Sequence, residues 1–130
     1  MSDNITHVSD GSFQSEVLQS ELPVLVDFWA EWCVPCHMVS PAVEEIARDH
    51  AERLKAVKVN VDDNPETARE CRVMSVPTLI MFKGGQEVAR VMGARGKEAI
   101  LREFEPHIMS EPRSDTLLGL RSPSEDAESA

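Results

Sequence analysis

The chain has 130 residues, 42% of them hydrophobic, and a formal net charge of -10. That length suits one domain with some chain to spare, and the apolar content argues against wholesale disorder. So acidic a surface is repelled by phosphate backbones and anionic lipid, which argues against binding to nucleic acid or to a membrane surface.

The segment Met1-Ser2-Asp3-Asn4 has no basic run and no apolar core of signal-peptide length. The longest apolar stretches, around Val24–Ala30 and Val76–Phe82, fall far short of a membrane span. The expected location is the cytoplasm. In that reducing compartment a close cysteine pair is a metal site or a redox site more often than a structural staple.

Asn4–Val8 suits a short edge strand. Ser9-Asp10-Gly11-Ser12 offers caps for a helix over Phe13–Gln19, which Leu22-Pro23 closes. Val24–Trp29 hardly alternates and reads as a strand buried on both faces. The Trp32–Cys36 segment leads into a helix of about fifteen residues with the stripe Val39, Val43, Ile46, Ala47, in which Pro41 is expected to introduce a kink. Val57, Val59 and Val61 alternate as a second strand, and Pro65–Cys71 is a short helix. Thr78–Phe82 is a third apolar strand, joined through a Gly84-Gly85 hairpin turn to Glu87–Met92. Gly96–Met109 is the last helix, with Ile100, Leu101, Phe104 and Ile108 on one face. Strands alternating with helices, then a hairpin and a helix, predict a three-layer α/β fold around a mixed sheet. Residues 1–109 form the domain. Residues 110–130, rich in serine, proline and acids, read as a disordered acidic tail broken only by Leu117-Leu118-Gly119-Leu120.

The chemistry concentrates at Cys33-Val34-Pro35-Cys36, which follows a buried strand and opens a helix. In open α/β sheets reactive sites gather at such strand ends. An offset of three puts both sulfurs on one side of the first turn, within bridging distance. The helix N-terminus favours a thiolate, which should lower the pKa of Cys33 and make it the nucleophile. Cys36, one turn further in, would then resolve the mixed disulfide. A closed zinc site needs four ligands, and the remaining Cys71, His7, His37, His50 and His107 are scattered singly, so no metal is expected.

Asp27 is the second unusual residue. A carboxylate inside a doubly buried strand should have a raised pKa, and lying just before the dithiol it can accept the Cys36 proton. The competing readings are an acid that reaches solvent at the sheet edge, or one paired with a buried cation such as Lys58. Val76-Pro77-Thr78 is a third feature, which on local grounds alone reads as an ordinary strand start.

The run Val26-Asp27-Phe28-Trp29-Ala30-Glu31-Trp32-Cys33-Val34-Pro35-Cys36, with Pro41, Lys58, Asp62, Asn64-Pro65, Val76-Pro77-Thr78, Phe82-Lys83, Gly85 and Gly93, resembles the thioredoxin family in order and spacing over about residues 1–108. The resemblance implies a central mixed five-stranded sheet flanked by four helices. It implies Cys33 as attacking thiol, Cys36 as resolving thiol, and Asp27 with Lys58 as a proton relay. It also implies a cis Pro77 facing the dithiol and an apolar docking surface of Trp32, Val34, Pro35, Val76, Pro77 and Gly93. No bound cofactor is implied. A thioredoxin-reductase-like flavoenzyme would supply electrons, protein disulfides would be the substrates, and the chain would work as a monomer. Two departures stand out: Val34 replaces the usual Gly, and His37 stands where the family mostly carries Lys or Arg. The alternative function is a redox adaptor or scaffold on the same fold that turns over little.

Overall fold

The computed structural model describes residues 5–109. Five strands, β1 (Ile5–His7), β2 (Val24–Trp29), β3 (Lys55–Asn60), β4 (Thr78–Lys83) and β5 (Gln86–Met92), form one sheet in the order β1-β3-β2-β4-β5. The first three are parallel to one another, β4 runs antiparallel to β2, and β5 runs antiparallel to β4. Three α-helices, α1 (Val34–Asp49), α2 (Pro65–Glu70) and α3 (Lys97–Met109), and one π-helical turn (Gln14–Leu18) make up the four expected helical segments.

β2 lies at the centre of the sheet, so its near-continuous apolar run is buried on both faces. Leu25 joins Val39, Val43, Ile46, Ile100 and Phe104 in the layer under α1 and α3. Val24, Val26 and Phe28 join Phe13, Val17 and Phe82 in the layer on the other side. Fully burying a side chain such as Phe104 or Ile46 stabilises by roughly 1.5–3 kcal/mol, so the stripe read from α1 is what fastens that helix to the sheet. The helix is continuous through Pro41, which lies on its exposed side. The hairpin turn has Gly84 at φ 62° and Gly85 at φ 82°. A Cβ on Gly85 would also come within 2.9 Å of the Leu18 carbonyl oxygen, so two constraints select glycine there.

Two local expectations changed. The Phe13–Gln19 helix is only a five-residue π-helical turn without a side-chain cap. One of the four residues offered as caps, Asp10, serves α2 instead: its Oδ1 accepts the Thr67 N–H at 2.8 Å and the Thr67 hydroxyl at 2.6 Å. Asn64 Oδ1 accepts the Asp10 N–H in return at 2.9 Å. A carboxylate at a helix start is favourable wherever in the chain it originates, and these partners lie more than fifty residues apart. The first residue expected in the edge strand, Asn4, and the 110–130 tail lie outside the described residues.

Helix α2 ends in a Schellman arrangement, with Val73 N–H donating to Ala68 C=O and Arg72 N–H to Arg69 C=O. Arg72 occupies the left-handed position at φ 57°, where glycine is usual. Arg90 fixes this corner by donating to the carbonyls of Cys71 and Arg72 while its guanidinium pairs with both Glu87 oxygens. An L-residue in that conformation costs about 1–2 kcal/mol, and glycine's greater freedom when unfolded offsets about 0.5–1 kcal/mol of the relief. Arg72→Gly is therefore expected to stabilise the domain by up to about 1.5 kcal/mol, raising the thermal midpoint by a few degrees. A lowered midpoint would contradict this account of the corner.

Candidate active site

The site forms where β2 ends and α1 begins. Cys33 is the N-cap residue of α1, in extended conformation, and Pro35 occupies the first turn, where a missing N–H leaves no bond unmade. Cys33 and Cys36 are joined as a disulfide with their Cα atoms 5.3 Å apart. Cys33 Sγ also accepts the Cys36 backbone N–H at 3.2 Å, a donor shared with the Cys33 carbonyl at 3.1 Å, so the attacking sulfur expected from sequence sits on an N–H of the helix start. Bulk burial does not separate the two cysteines, at 3% and 1% exposed. Their positions on the helix do.

Around the pair, Trp29, Val61 and Val76 pack against Ala30, Cys33 and Cys36. The Val76–Pro77 bond is cis, which local reasoning had not distinguished from an ordinary strand start. Gly93, at φ 89°, donates its N–H to the Pro77 carbonyl at 2.9 Å and holds the β5 exit against this loop. Trp32 is 68% exposed yet oriented, because its indole N–H donates to Asp62 Oδ2 at 2.8 Å. Asp62 stands in the quoted sequence pattern, but only the folded chain gives it this task. Val34 is 66% exposed at the first position of α1, so its β-branched side chain projects into solvent and leaves the core unaltered.

Asp27 is fully buried on the central strand, and neither carboxylate oxygen has a hydrogen-bond partner. That removes the reading of an edge acid reaching solvent. Burial pushes its pKa up from 3.8 to about 6, against the opposing pull of the Lys58 charge and with a smaller push from Glu44. Lys58 is its register neighbour on β3, half-buried, with its ammonium 5.3 Å from the Trp29 ring centroid and 3.5 Å from Ser40 Oγ. The reading of a buried cation directly bonded to Asp27 is thus replaced by a nearby, separately held charge. His37 lies on the exposed surface of α1, but its ring contacts the Glu31 carbonyl at 2.8 Å and meets Trp29 edge-on. Cys71 is half-buried against the apolar layer under the π-helical turn, and burial pushes its thiol up to about 11, an unreactive setting. Among the described residues no cluster of three or more His, Cys, Asp or Glu side chains is arranged to hold a metal ion.

The family model described as Thioredoxin matches residues 4–105. The chain belongs to the thioredoxin family. It is 59% identical to a thioredoxin of Mycobacterium tuberculosis over 97 residues, covering 75% of this chain and 84% of that protein. It is 50% identical over 101 residues to thioredoxin 1 of a Nostoc species, covering 78% of this chain and 94% of the relative. A bifunctional thioredoxin reductase/thioredoxin of Mycobacterium leprae matches at 56% over 97 residues, which cover 75% of this chain and 21% of that longer protein. With the fold and a bonded cysteine pair at the start of α1, this thioredoxin-family chain is a protein-disulfide oxidoreductase that works by dithiol–disulfide exchange. No helix among the described residues is long and apolar enough to cross a membrane.

Proposed function

We propose that the chain is a protein-disulfide reductase in which Cys33 attacks and Cys36 resolves. The Cys33 thiolate forms a bond to one sulfur of a substrate disulfide, and the other substrate sulfur leaves as a thiolate. Cys36 then loses its proton to Asp27 and attacks Cys33 Sγ. The Cys33–Cys36 disulfide forms and the second substrate thiolate departs, so two electrons pass to the substrate. Lys58 keeps a positive charge near the ionised Asp27. Trp32, Val34, Pro35, Val76, Pro77 and Gly93 form the docking surface, and the backbone of Val76 pairs with an extended substrate segment. A thioredoxin-reductase-type flavoenzyme returns the electrons; the Mycobacterium leprae relative, whose name couples the two activities, supports such a partner. In this reading the chain acts as a cytoplasmic monomer, with residues 1–109 as the domain and 110–130 as a tail outside the chemistry.

The observation that carries the assignment of roles is the position of Cys33 Sγ on the Cys36 N–H at the start of α1. A helix N-terminus stabilises negative charge, so in the reduced protein this sulfur is the better placed to be a thiolate. Insulin reduction driven by dithiothreitol tests the function. The wild-type chain is expected to accelerate precipitation, and Cys33→Ser to fall to the rate of dithiothreitol alone. Equal slow rates for both would remove the reductase reading and favour a scaffold.

A further inference from the structure

The buried acid lacks hydrogen bonds, and the ammonium that faces it is held by other groups. Of the charged groups around Asp27, β3 supplies Lys58 and α1 supplies Glu44, while the register neighbour on β4 is the apolar Leu79. Ser40 stands one helical turn after Cys36 and one before Glu44, on the same stripe of α1. Its hydroxyl donates to the Cys36 carbonyl at 3.2 Å, which leaves an oxygen lone pair for the Lys58 ammonium at 3.5 Å. The Trp29 ring lies beneath the same ammonium.

We propose that Ser40 is a positioning residue for the buried acid, its hydroxyl linking the Lys58 ammonium to the backbone of Cys36 and keeping that charge beside Asp27. The inference rests on the reading of Asp27 as proton acceptor and adds the residue that sets its surroundings. The chain of contacts runs from Lys58 N–H to Ser40 O–H to the Cys36 carbonyl, so the helix turn bearing the resolving cysteine also sets where the counter-charge sits. Lys58 is already Asp27's register neighbour on the adjacent strand, yet it bonds to neither oxygen. Moving fully inward would strip water from an ammonium at a cost of several kcal/mol. Released from Ser40, it moves outward instead, where it is hydrated, and Asp27 loses part of the opposite charge that Lys58 supplies. Removing a nearby opposite charge disfavours an ionised carboxylate.

The test uses the full chain. In Ser40→Ala, carboxyl-carbon NMR is expected to show the Asp27 titration midpoint moved upward, by about a tenfold gain in proton affinity. The acid limb of the mixed-disulfide resolution rate should move with it, and Ser40→Thr should restore the wild-type midpoint by keeping the hydroxyl. Alanine favours helix, so the fold is expected to persist, which far-ultraviolet circular dichroism checks. An Asp27 midpoint unmoved or lowered in Ser40→Ala overturns the proposal, as does Ser40→Thr behaving like Ser40→Ala. An acid limb that persists in Asp27→Ala overturns the proton-acceptor role instead, while the NMR midpoint still decides the placement of Lys58.

Discussion

Cys36→Ser is expected to accumulate a stoichiometric mixed disulfide with a protein substrate, whereas Cys33→Ser is expected to accumulate none. Both sulfurs are nearly buried, so exposure alone predicts little difference between them. The asymmetry comes from the backbone: Cys33 is the N-cap, and its sulfur receives a helix-start N–H, while Cys36 lies inside the first turn among the buried residues of α1. Serine at 36 leaves attack intact and removes the only thiol placed for the second displacement. Intact-mass analysis after mixing with a protein disulfide reads the adduct directly. Accumulation on the Cys33→Ser variant instead would reverse the roles.

Asp27→Ala is expected to stabilise the domain near neutral pH and to slow resolution of the mixed disulfide. In the folded chain the carboxyl titrates at about 6, against 3.8 as its ordinary value. Between those values the folded state holds a proton that the unfolded chain has released. The stabilising contribution is therefore fully present below pH 3.8 and is lost as pH rises through about 6. The interval corresponds to about 3 kcal/mol, from which the small void left by alanine subtracts. Urea unfolding of the wild type should show stability falling across that window, and the variant should lack the fall. With no hydrogen bonds to lose, the carboxylate is removed without stranding a partner. Its absence should slow resolution at pH 7 on the order of a hundredfold, the low end for a positioned proton acceptor. An unchanged resolution rate would leave Asp27 without a role in the exchange.

If both results hold, the buried acid trades fold stability at neutral pH for chemistry in the exchange. On the proposed role, a directly bonded Lys58 would hold Asp27 ionised and weaken it as a proton acceptor, so the half-buried, separately held ammonium suits that role.

Most of the fold was legible because its signals are short-range. The unbroken apolar run of β2, the stripe of α1 and the paired glycines of the hairpin each follow from a local period or a local dihedral requirement, and β2 and the two hairpin strands appear within a residue of the expected ends. The cysteine pair was legible for the same reason, since an offset of three on a helix start fixes the geometry by itself. What local reasoning could not supply were contacts made across the chain. Asp10 caps a helix that begins more than fifty residues later, Asp62 orients Trp32 from across a loop, and the Val76–Pro77 bond is cis. Nothing local marks Ser40, and only the fold places Lys58 of β3 against it. The sequence alone thus determined which elements form and where the reactive sulfurs lie, because periodicity and helix-start chemistry act over a few residues. Only the tertiary structure decided how the acid, the ammonium and the docking loops face those sulfurs, because desolvation and charge depend on neighbours that are distant along the chain.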